Sequence, residues 1–407
     1  MTTNIKKSKL NGTIQAPPSK SYAHRYLIAA ALSHGKSTIS NVDFSDDIMA
    51  TLDVIHAYGK KAYRDFENHL VKFEESFTMN YDPTFDCKES GTTLRIFFPI
   101  ALSLYDKATF IGSKRLIERG IDIYENTFKY ISFDKDTYSI KTKGTINPSS
   151  YELPGNVSSQ YVSGLLYALP LLKGDSKIAL TTNLESKNYV DMTLDVLSRY
   201  GIKIQSGKPE KRMGEFNEPA FMIPGKQTYT PHDFTIEGDF SNAAFLDAFN
   251  YFDNNIEILG LNPDSLQSDK IYKKYFDMLD KDFSEINMSN SIDLGPILIT
   301  FAALKHGARF TGTNRLKIKE SDRGNAITEE LRKCGANIKV LDDEIIVEKN
   351  ELTKPSMNLN SHNDHRIAMS LSLLSTQFDI SIDDSECIKK SYPQYFNDLK
   401  KLNASIE

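Results

Sequence analysis

The sequence predicts an α/β protein of two or three domains, in which apolar helices alternate with β-rich stretches. Three observations support this prediction. The 407 residues exceed one domain of about 150 residues, so two large or three smaller domains are expected. Hydrophobic residues make up 40% of the chain and charged residues 25%, as in globular and not in disordered proteins. A polar turn followed by an apolar helix recurs six times.

Each copy of the repeat begins with a small polar or charged turn, continues as an apolar run of helical length, and ends at Gly or Asp before a β-rich stretch. In chain order the six turns are 18–25, 89–95, 155–160, 238–244, 293–296 and 363–366. Their marker residues are Ser19, Ser90, Ser158, Ser241, Pro296 and Asp364, separated by about 71, 68, 83, 55 and 68 residues. This spacing suits a small αβ unit used six times and is too long for a solenoid repeat.

The turns carry the Ser, Thr, Asp and Gly residues that are typical of helix N-caps. Capped helices occur in every α/β protein, so caps alone indicate only structure. Several turns, however, add a cation beside the cap: Lys20, Arg25, Arg95, Lys319, Arg323 and Arg366. A cation is unfavourable in the first turn of a helix unless an anion is bound there. The repetition therefore predicts a site for anions.

The overall charge excludes several classes of partner. Lys and Arg number 49 and Asp and Glu 54, a net charge of −5, so no broad basic surface for nucleic acid or an anionic membrane is expected. No apolar run approaches the length of a membrane span, and the first residues lack a signal core, so we expect a cytoplasmic protein. Cys87, Cys334 and Cys387 form no CxxC pair and are expected to be reduced.

Seven separated motifs resemble those of the EPSP synthase family of enolpyruvyl transferases, from about Gly12 to Leu399. They are Pro18-Ser-Lys-Ser…Arg25, Ser90-Gly-Thr-Thr-Leu-Arg95, Ser158-Ser-Gln160, Gly238-Asp-Phe-Ser241, Lys319-Glu-Ser-Asp-Arg323, Asp364-His-Arg366 and Lys390-Ser-Tyr-Pro393. The pair Lys-Glu-Ser-Asp-Arg and Asp-His-Arg, about forty residues apart in that order, is the most specific part of the resemblance.

This resemblance implies a two-domain inside-out α/β barrel, in which each domain holds three βαβαββ repeats with inward-packed helices. One domain would comprise residues 1–18 and 233–407, and the other residues 19–232, with the active site in the cleft between them. The implied reaction transfers the carboxyvinyl group of phosphoenolpyruvate to the 5-hydroxyl of shikimate 3-phosphate and releases phosphate. The alternative is an enzyme similar to UDP-N-acetylglucosamine 1-carboxyvinyltransferase, which shares the fold.

The resemblance also assigns residues to roles. Expected shikimate 3-phosphate ligands are Lys20, Ser21, Arg25, Ser158, Ser159, Gln160, Ser186, Tyr189, Asp293 and Lys319. Expected phosphoenolpyruvate ligands are Lys20, Gly91, Arg119, Gln160, Arg323, Arg366 and Lys390. Expected catalytic residues are Asp293, for the hydroxyl proton, Glu320, for the methyl proton, and Lys20 and Lys390, for developing charge. No cofactor and no metal are expected, and we expect a monomer.

Three positions differ from the family pattern. Glu89 replaces a small amide side chain before Ser90, Ile96 stands where Pro is common, and Gly120 stands where Pro is usual. We expect altered affinity for glyphosate, the family's phosphoenolpyruvate-site inhibitor, in a direction that the sequence leaves open.

Two further patterns are interpreted as structural. The Lys and Asp residues between Asp269 and Asp282 predict a solvated helix face, and 362–365, with its two histidines, lacks the further ligands of a metal site.

Overall fold

The computed structural model describes residues 1–207 and 220–407. The chain divides into two compact units. The discontinuous unit comprises Met1–Ser19 and Glu237–Glu407, and the continuous unit comprises Lys20–Ile236. Each unit has its own hydrophobic core. Within the described ranges, no helix is both long enough and apolar enough to cross a bilayer.

The strands are short, and most lie on either side of a helix in the sequence. In chain order they are β1 (Thr3–Lys6), β2 (Asn11–Gln15), β3 (Ser37–Ser40), β4 (Lys60–Asp65), β5 (Leu70–Phe77), β6 (Thr84–Asp86), β7 (Lys107–Ile111), β8 (Ser132–Lys135), β9 (Ser139–Lys143), β10 (Ser150–Leu153), β11 (Ser176–Leu180), β12 (Gln205–Gly207), β13 (Ala220–Ile223), β14 (Phe234–Thr235), β15 (Asn255–Leu259), β16 (Ser284–Asn287), β17 (Ala308–Thr311), β18 (Asn337–Val340), β19 (Glu344–Glu348), β20 (Leu359–Asn360), β21 (Ile380–Asp383) and β22 (Ser405–Ile406).

The helices connect these strands. The α-helices are α1 (Lys20–Leu32), α2 (Asp46–Tyr58), α3 (Gly91–Leu104), α4 (Lys114–Arg119), α5 (Asp122–Thr127), α6 (Ser159–Ala168), α7 (Lys187–Arg199), α8 (Phe240–Asp247), α9 (Tyr272–Lys281), α10 (Gly295–Leu304), α11 (Arg323–Lys333), α12 (His365–Ser372) and α13 (Tyr395–Lys401). Short 3₁₀ turns lie at Leu169–Leu171, Ala248–Tyr251, Ser268–Ile271, Ile292–Leu294, Asn314–Ile318, Leu373–Thr376 and Ser385–Lys390.

The continuous unit contains three four-stranded sheets of one design. Their strand orders are β14-β3-β5-β4, β6-β7-β9-β8 and β10-β11-β13-β12. In each sheet the first two strands are parallel and the remaining neighbours antiparallel. In the second sheet, for example, Thr109 lies opposite Thr84 on its parallel side and Lys141 on its antiparallel side. The order β6-α3-β7-α4-α5-β8-β9 is one βαβαββ repeat with its second helix in two pieces.

The discontinuous unit repeats the same design. Two four-stranded sheets have the orders β16-β17-β19-β18 and β20-β21-β1-β22, again with one parallel pair followed by antiparallel neighbours. The remaining copy, which follows the fourth turn, is shorter. Its strand β15 pairs in parallel with β2 in a two-stranded sheet. The chain then passes from α9 to β16, which belongs to the next sheet, without the antiparallel strand pair that follows α2, α5 and α11.

The helices form the interior of each unit. In α10, Gly295–Ala303 are all buried, and α1 is buried from Tyr22 to Leu32. A helix that is buried on all sides must be surrounded by other elements. Here α1, α2, α3, α6 and α7 pack together in one unit, and α9, α10, α11 and α12 in the other. The predicted fold class, with inward-packed helices in repeated βαβαββ units, is confirmed.

Several predicted N-caps are confirmed. Ser90 and Ser158 accept hydrogen bonds from the backbone of α3 and α6, and Asp364 caps α12. In the fourth turn Asp239 is the cap, and Ser241 lies one residue inside α8. The three cysteines are buried as thiols, and burial raises the pKa of Cys334 to about 12.

Candidate functional site

Each unit carries a group of predicted site residues, many of which lie at or next to the N-terminal ends of its helices. In the discontinuous unit these are Asp293, Lys319, Glu320, Arg323, Arg366 and Lys390. In the continuous unit they are Lys20, Ser21, Arg25, Gly91, Arg119, Ser158, Ser159, Gln160, Ser186 and Tyr189.

Arg323, the first residue of α11, is the centre of the group in the discontinuous unit. Its side chain is 1% exposed. It donates from Nε to Asp364 Oδ2 at 2.8 Å, from Nη1 to Asp293 Oδ1 at 2.8 Å and from Nη2 to Glu320 Oε2 at 2.6 Å. Burial opposes its charge, but these three carboxylates raise the pKa of Arg323 above its ordinary value. The guanidinium therefore stays charged in the interior and orients three acids.

The Asp293 carboxylate lies among cations. Lys319 Nζ is 3.1 Å from its Oδ1, and Arg366 Nη2 is 3.8 Å from its Oδ2. Burial favours the neutral acid, yet Lys319, Arg366 and Arg323 together hold the pKa of Asp293 well below its usual range. Burial lowers the pKa of Lys319 even though Asp293 favours its charged form. The site thus keeps Asp293 ionised next to several cations.

Arg366 connects this group to α8. It donates from Nη1 to Ser241 Oγ at 2.6 Å and to the Asp293 carbonyl at 3.0 Å. Ser241 also hydrogen-bonds the side chain of Asp269, whose pKa is raised to about 6 by burial and by the neighbouring Asp293. Asp269 is 2% exposed. The Lys and Asp residues from Asp269 to Asp282 were expected to form a solvated helix face. That prediction is wrong at Asp269, because tertiary packing buries it.

Lys390 ends the 3₁₀ turn Ser385–Lys390 and donates to the Asn363 carbonyl at 2.6 Å. It is 9% exposed. Asn363 immediately precedes Asp364, the partner of Arg323, so Lys390 contacts the same loop as the central guanidinium.

In the continuous unit, Lys20 is the first residue of α1 and pairs with Asp47 of α2. Its Nζ lies 2.7 Å from Asp47 Oδ2. One turn further along α1, Arg25 donates to Thr193 Oγ1 and to the carbonyls of Ser21 and Tyr189 at 2.7–3.0 Å. Burial lowers the pKa of Arg25.

A second cluster in this unit surrounds Gly91. A Cβ at this position would lie 2.9 Å from Arg95 Nη1 and 3.0 Å from Arg119 Nη2, so glycine is what allows two guanidinium groups to approach the start of α3. Arg95 Nη1 donates to Gln160 Oε1 at 3.0 Å, and Gln160 Nε2 donates to Thr92 Oγ1 at 2.9 Å. Gly91 and Arg95 of one motif therefore meet Gln160 of another, with Arg119 beside them.

Gly120 explains one departure from the family pattern. Its φ is +63°, a conformation that proline, with φ near −65°, does not adopt. The Gly120 carbonyl accepts hydrogen bonds from Arg95 Nη2 and from the Tyr161 hydroxyl. The turn that carries Arg119 is thus built on a glycine conformation, while Ile96, the second departure, is fully buried in α3.

The predicted serines lie at the starts of two helices. Ser158 caps α6 by accepting from the Gln160 backbone N–H, and Ser159 is the first residue of that helix. Ser186 precedes α7 in a left-handed conformation, and its carbonyl accepts from the Tyr189 N–H at 3.0 Å. Ser186 and Tyr189 are therefore linked to Arg25, whereas Ser158 and Ser159 are linked to Gln160.

Sequence reasoning did not assign Asp47, Asp269 and Asp364 to the site, and it named Arg95 only as one of the cations beside a helix cap, with no ligand role. Arg95 and Asp364 stand in motifs that were recognised, so their place in a motif was an available signal. Asp47 and Asp269 lie outside the motifs, and their burial depends on residues distant in sequence.

One cluster has the composition of a metal site. Over residues 1–207 and 220–407, the ligand atoms of Glu329, Glu330 and His362 lie within 4.8 Å of one another. However, the Lys333 ammonium lies 2.8 Å from both oxygens of Glu330, where a metal cation would meet its positive charge. We assign no metal to this cluster.

Comparison with solved structures defines the class of protein. The chain is similar to EPSP synthase from Acinetobacter baumannii, with a TM-score of 0.76, 19% identity and coverage of 100% of this chain and 99% of that one. It is also similar to the enolpyruvyl transferase NikO from Streptomyces tendae, with a TM-score of 0.74, 17% identity and coverage of 100% and 98%. The fold is therefore that of the enolpyruvyl transferases.

The sequence comparisons define the family. The model of EPSP synthase (3-phosphoshikimate 1-carboxyvinyltransferase) matches residues 5–399. Proteins named 3-phosphoshikimate 1-carboxyvinyltransferase are 37% identical in Clostridium kluyveri, with coverage of 99% of this chain and 98% of the relative, and 39% identical in Clostridium novyi, with coverage of 98% and 97%. The chain belongs to the EPSP synthase family. The family and the transferase class predicted from the sequence are confirmed, and the UDP-sugar alternative is not favoured.

Proposed function

We propose that the chain transfers the enolpyruvyl group of phosphoenolpyruvate to the 5-hydroxyl of shikimate 3-phosphate, giving 5-enolpyruvylshikimate 3-phosphate and phosphate. The observation that carries this proposal is the set of cations around Asp293 and Glu320, namely the buried Arg323 and Arg366 and the partly buried Lys319. Both substrates carry a phosphate and a carboxylate, and a site for them needs concentrated positive charge.

The phosphoenolpyruvate ligands in the proposal are Lys20, Gly91, Arg119, Gln160, Arg323, Arg366 and Lys390. The close approach of Arg95 and Arg119 to Gly91 supports this, because a planar guanidinium suits a carboxylate or phosphate. The shikimate 3-phosphate ligands in the proposal are Lys20, Ser21, Arg25, Ser158, Ser159, Gln160, Ser186, Tyr189, Asp293 and Lys319. The hydroxyl groups and backbone N–H groups at the starts of these helices can donate hydrogen bonds to a phosphate, which supports the assignment.

Proton transfer is assigned to two acids. As the 5-hydroxyl oxygen bonds to C2 of phosphoenolpyruvate, its proton goes to Asp293, and Glu320 delivers a proton to the methylene carbon, which becomes a methyl group. Elimination then breaks the C2–O bond to phosphate and returns a methyl proton to Glu320. The depressed pKa of Asp293 supports the first role, since the carboxylate is ionised at neutral pH. Lys20 and Lys390 stabilise the charge that develops.

We further propose that the enzyme works as a monomer in the cytoplasm without a cofactor. The reaction involves no net oxidation or reduction, so it needs no redox cofactor. Its atoms balance with these two substrates alone. Glyphosate affinity is expected to depend on Ile96, and inhibition curves of the native chain and of Ile96→Pro test this. Identical inhibition curves would show that glyphosate affinity does not depend on Ile96.

The decisive assay measures phosphate release from phosphoenolpyruvate with shikimate 3-phosphate or with UDP-N-acetylglucosamine as acceptor. Phosphate release only when shikimate 3-phosphate is the acceptor supports the proposal. Phosphate release only when the UDP-sugar is the acceptor contradicts it. Asp293→Asn and Glu320→Gln test the acids, and near-normal turnover in either variant would disprove its role. Asp342→Asn is a control, because Asp342 is exposed and pairs with Lys317 at the surface.

A further inference from the structure

The loop before α12 contains two consecutive non-glycine residues in the left-handed region. His362 has a φ of 51° and Asn363 a φ of 53°. Each such residue costs free energy and persists only where its surroundings impose it. The contacts of this loop must therefore compensate for its conformation.

Glu330, on α11, supplies these contacts. It is 0% exposed and accepts from His362 Nε2 and from the Asn360 backbone N–H, both at 2.8 Å. Lys333 also donates to Glu330 from the next turn of the helix. Burial alone would raise the pKa of Glu330, but these hydrogen bonds lower it, so the carboxylate is charged. A buried carboxylate thus joins α11 to both ends of the Asn360–His362 segment.

The same loop also carries groups that contact the proposed phosphoenolpyruvate ligands. The Asn363 carbonyl accepts from Lys390, and Asp364 accepts from Arg323. The Arg366 backbone N–H donates to Asp364 Oδ1 at 2.9 Å. Arg323, Lys390 and Arg366 are therefore all connected to the two residues that follow His362.

We propose that Glu330 is a positioning residue for phosphoenolpyruvate binding, which holds the His362–Asn363 turn so that Asp364 and the Asn363 carbonyl orient Arg323, Arg366 and Lys390. Glu330 lies at the opposite end of α11 from Arg323, seven residues along the helix. It acts through the loop and not on the substrate. This inference rests on the proposed function for the identity of the ligand.

The test compares Glu330→Gln with Glu329→Gln, a matched control at the adjacent, exposed position of α11. The first variant removes the buried charge that binds the loop, and the second removes an exposed charge. We expect KM for phosphoenolpyruvate to rise about tenfold in Glu330→Gln, because small displacements of binding groups are costly. KM for shikimate 3-phosphate should change by less than about twofold, and Glu329→Gln should match the native enzyme. Equal increases in both KM values, or no change in a folded Glu330→Gln, would overturn the proposal.

Hydrogen exchange provides a readout that does not depend on activity. Peptides covering 359–367 should exchange faster in Glu330→Gln than in Glu329→Gln, and equal exchange contradicts the proposal even if the native chain proves inactive in the phosphate assay. If Glu330→Gln does not fold, His362→Asn decides. Asn tolerates a positive φ but cannot reproduce the imidazole contact with Glu330, so KM for phosphoenolpyruvate should again rise. An unchanged KM in that variant would overturn the proposal.

Discussion

Lys20 and Asp47 form a largely buried ion pair that joins the first turns of α1 and α2. Lys20 Nζ lies 2.7 Å from Asp47 Oδ2, and the side chains are 15% and 13% exposed. A cation in the first turn of a helix is unfavourable by itself, and the carboxylate of Asp47 offsets that cost. Asp47 therefore determines where the ammonium of a proposed catalytic residue lies.

Asp47→Asn should reduce kcat/KM by about tenfold or more, because Lys20 loses the partner that orients it. Asp46→Asn, at the exposed neighbouring position, is the control and should retain native activity. The measurement is phosphate release under identical conditions. Equal activity of the two variants would show that the ion pair does not position Lys20.

Gly91→Ala should weaken phosphoenolpyruvate binding. The added Cβ would lie 2.9 Å from Arg95 Nη1 and 3.0 Å from Arg119 Nη2, so the guanidinium groups must move. We expect KM for phosphoenolpyruvate to rise about tenfold. Gly174→Ala is the control, since its Cβ would contact only Pro148. A native KM in Gly91→Ala would exclude Gly91 from the binding site.

Asp269 should make stability depend on pH. Its pKa in the folded state, about 6, lies above the ordinary value of 3.8, so the folded protein binds the proton more tightly than the unfolded chain. The stability from this group is present in full below pH 3.8 and is lost as pH rises through 6, by about 3 kcal/mol in total.

Urea unfolding from pH 4 to 7 tests this with Asp269→Asn and, as the control, Asp264→Asn at an exposed position of the same segment. Relative to the native chain, Asp269→Asn should gain stability as pH rises, and Asp264→Asn should follow the native curve. Parallel curves for all three proteins would contradict the prediction.

Asp364→Asn should destabilise the protein by about 3 kcal/mol or more, because it removes one partner of a buried ion pair and leaves Arg323 less compensated. Asp342→Asn removes an exposed partner of Lys317 and should leave the free energy of unfolding close to that of the native chain. The free energies of unfolding of the two variants can be compared directly. Equal losses would show that the buried ion pair between Arg323 and Asp364 contributes no more to the free energy of unfolding than the exposed pair does.

The sequence contained enough information to predict the six repeats and most of the helix starts. Ser90, Ser158 and Asp364 were recognisable because capping is a local property, set by one side chain and the next three backbone N–H groups. Asp269 was misjudged because its burial depends on Ser241 and Arg366, which are distant in the chain. Local sequence patterns are enough to predict helix caps, whereas the burial of a charged side chain can be recognised only from the tertiary structure.

The spacing of the repeats also reflects a difference between the copies. The shortest interval, between Ser241 and Pro296, is about 55 residues and corresponds to the copy in which α9 leads into β16 with no strand pair between them. Strand pairing is non-local, so the sequence could not show that β2, from the other end of the chain, completes this sheet. The division into two units has the same origin.

The position of β1 has a consequence for biosynthesis. It lies between β21 and β22, so Thr3–Lys6 has no sheet to join until Ile380–Asp383, and then Ser405–Ile406, have been translated. The continuous unit, by contrast, has all its strands once residue 236 has emerged. At roughly 5 to 20 residues per second, the ribosome needs on the order of ten seconds for the remaining chain. The strands before Lys20 therefore stay without their partners while the rest of their own unit is synthesised.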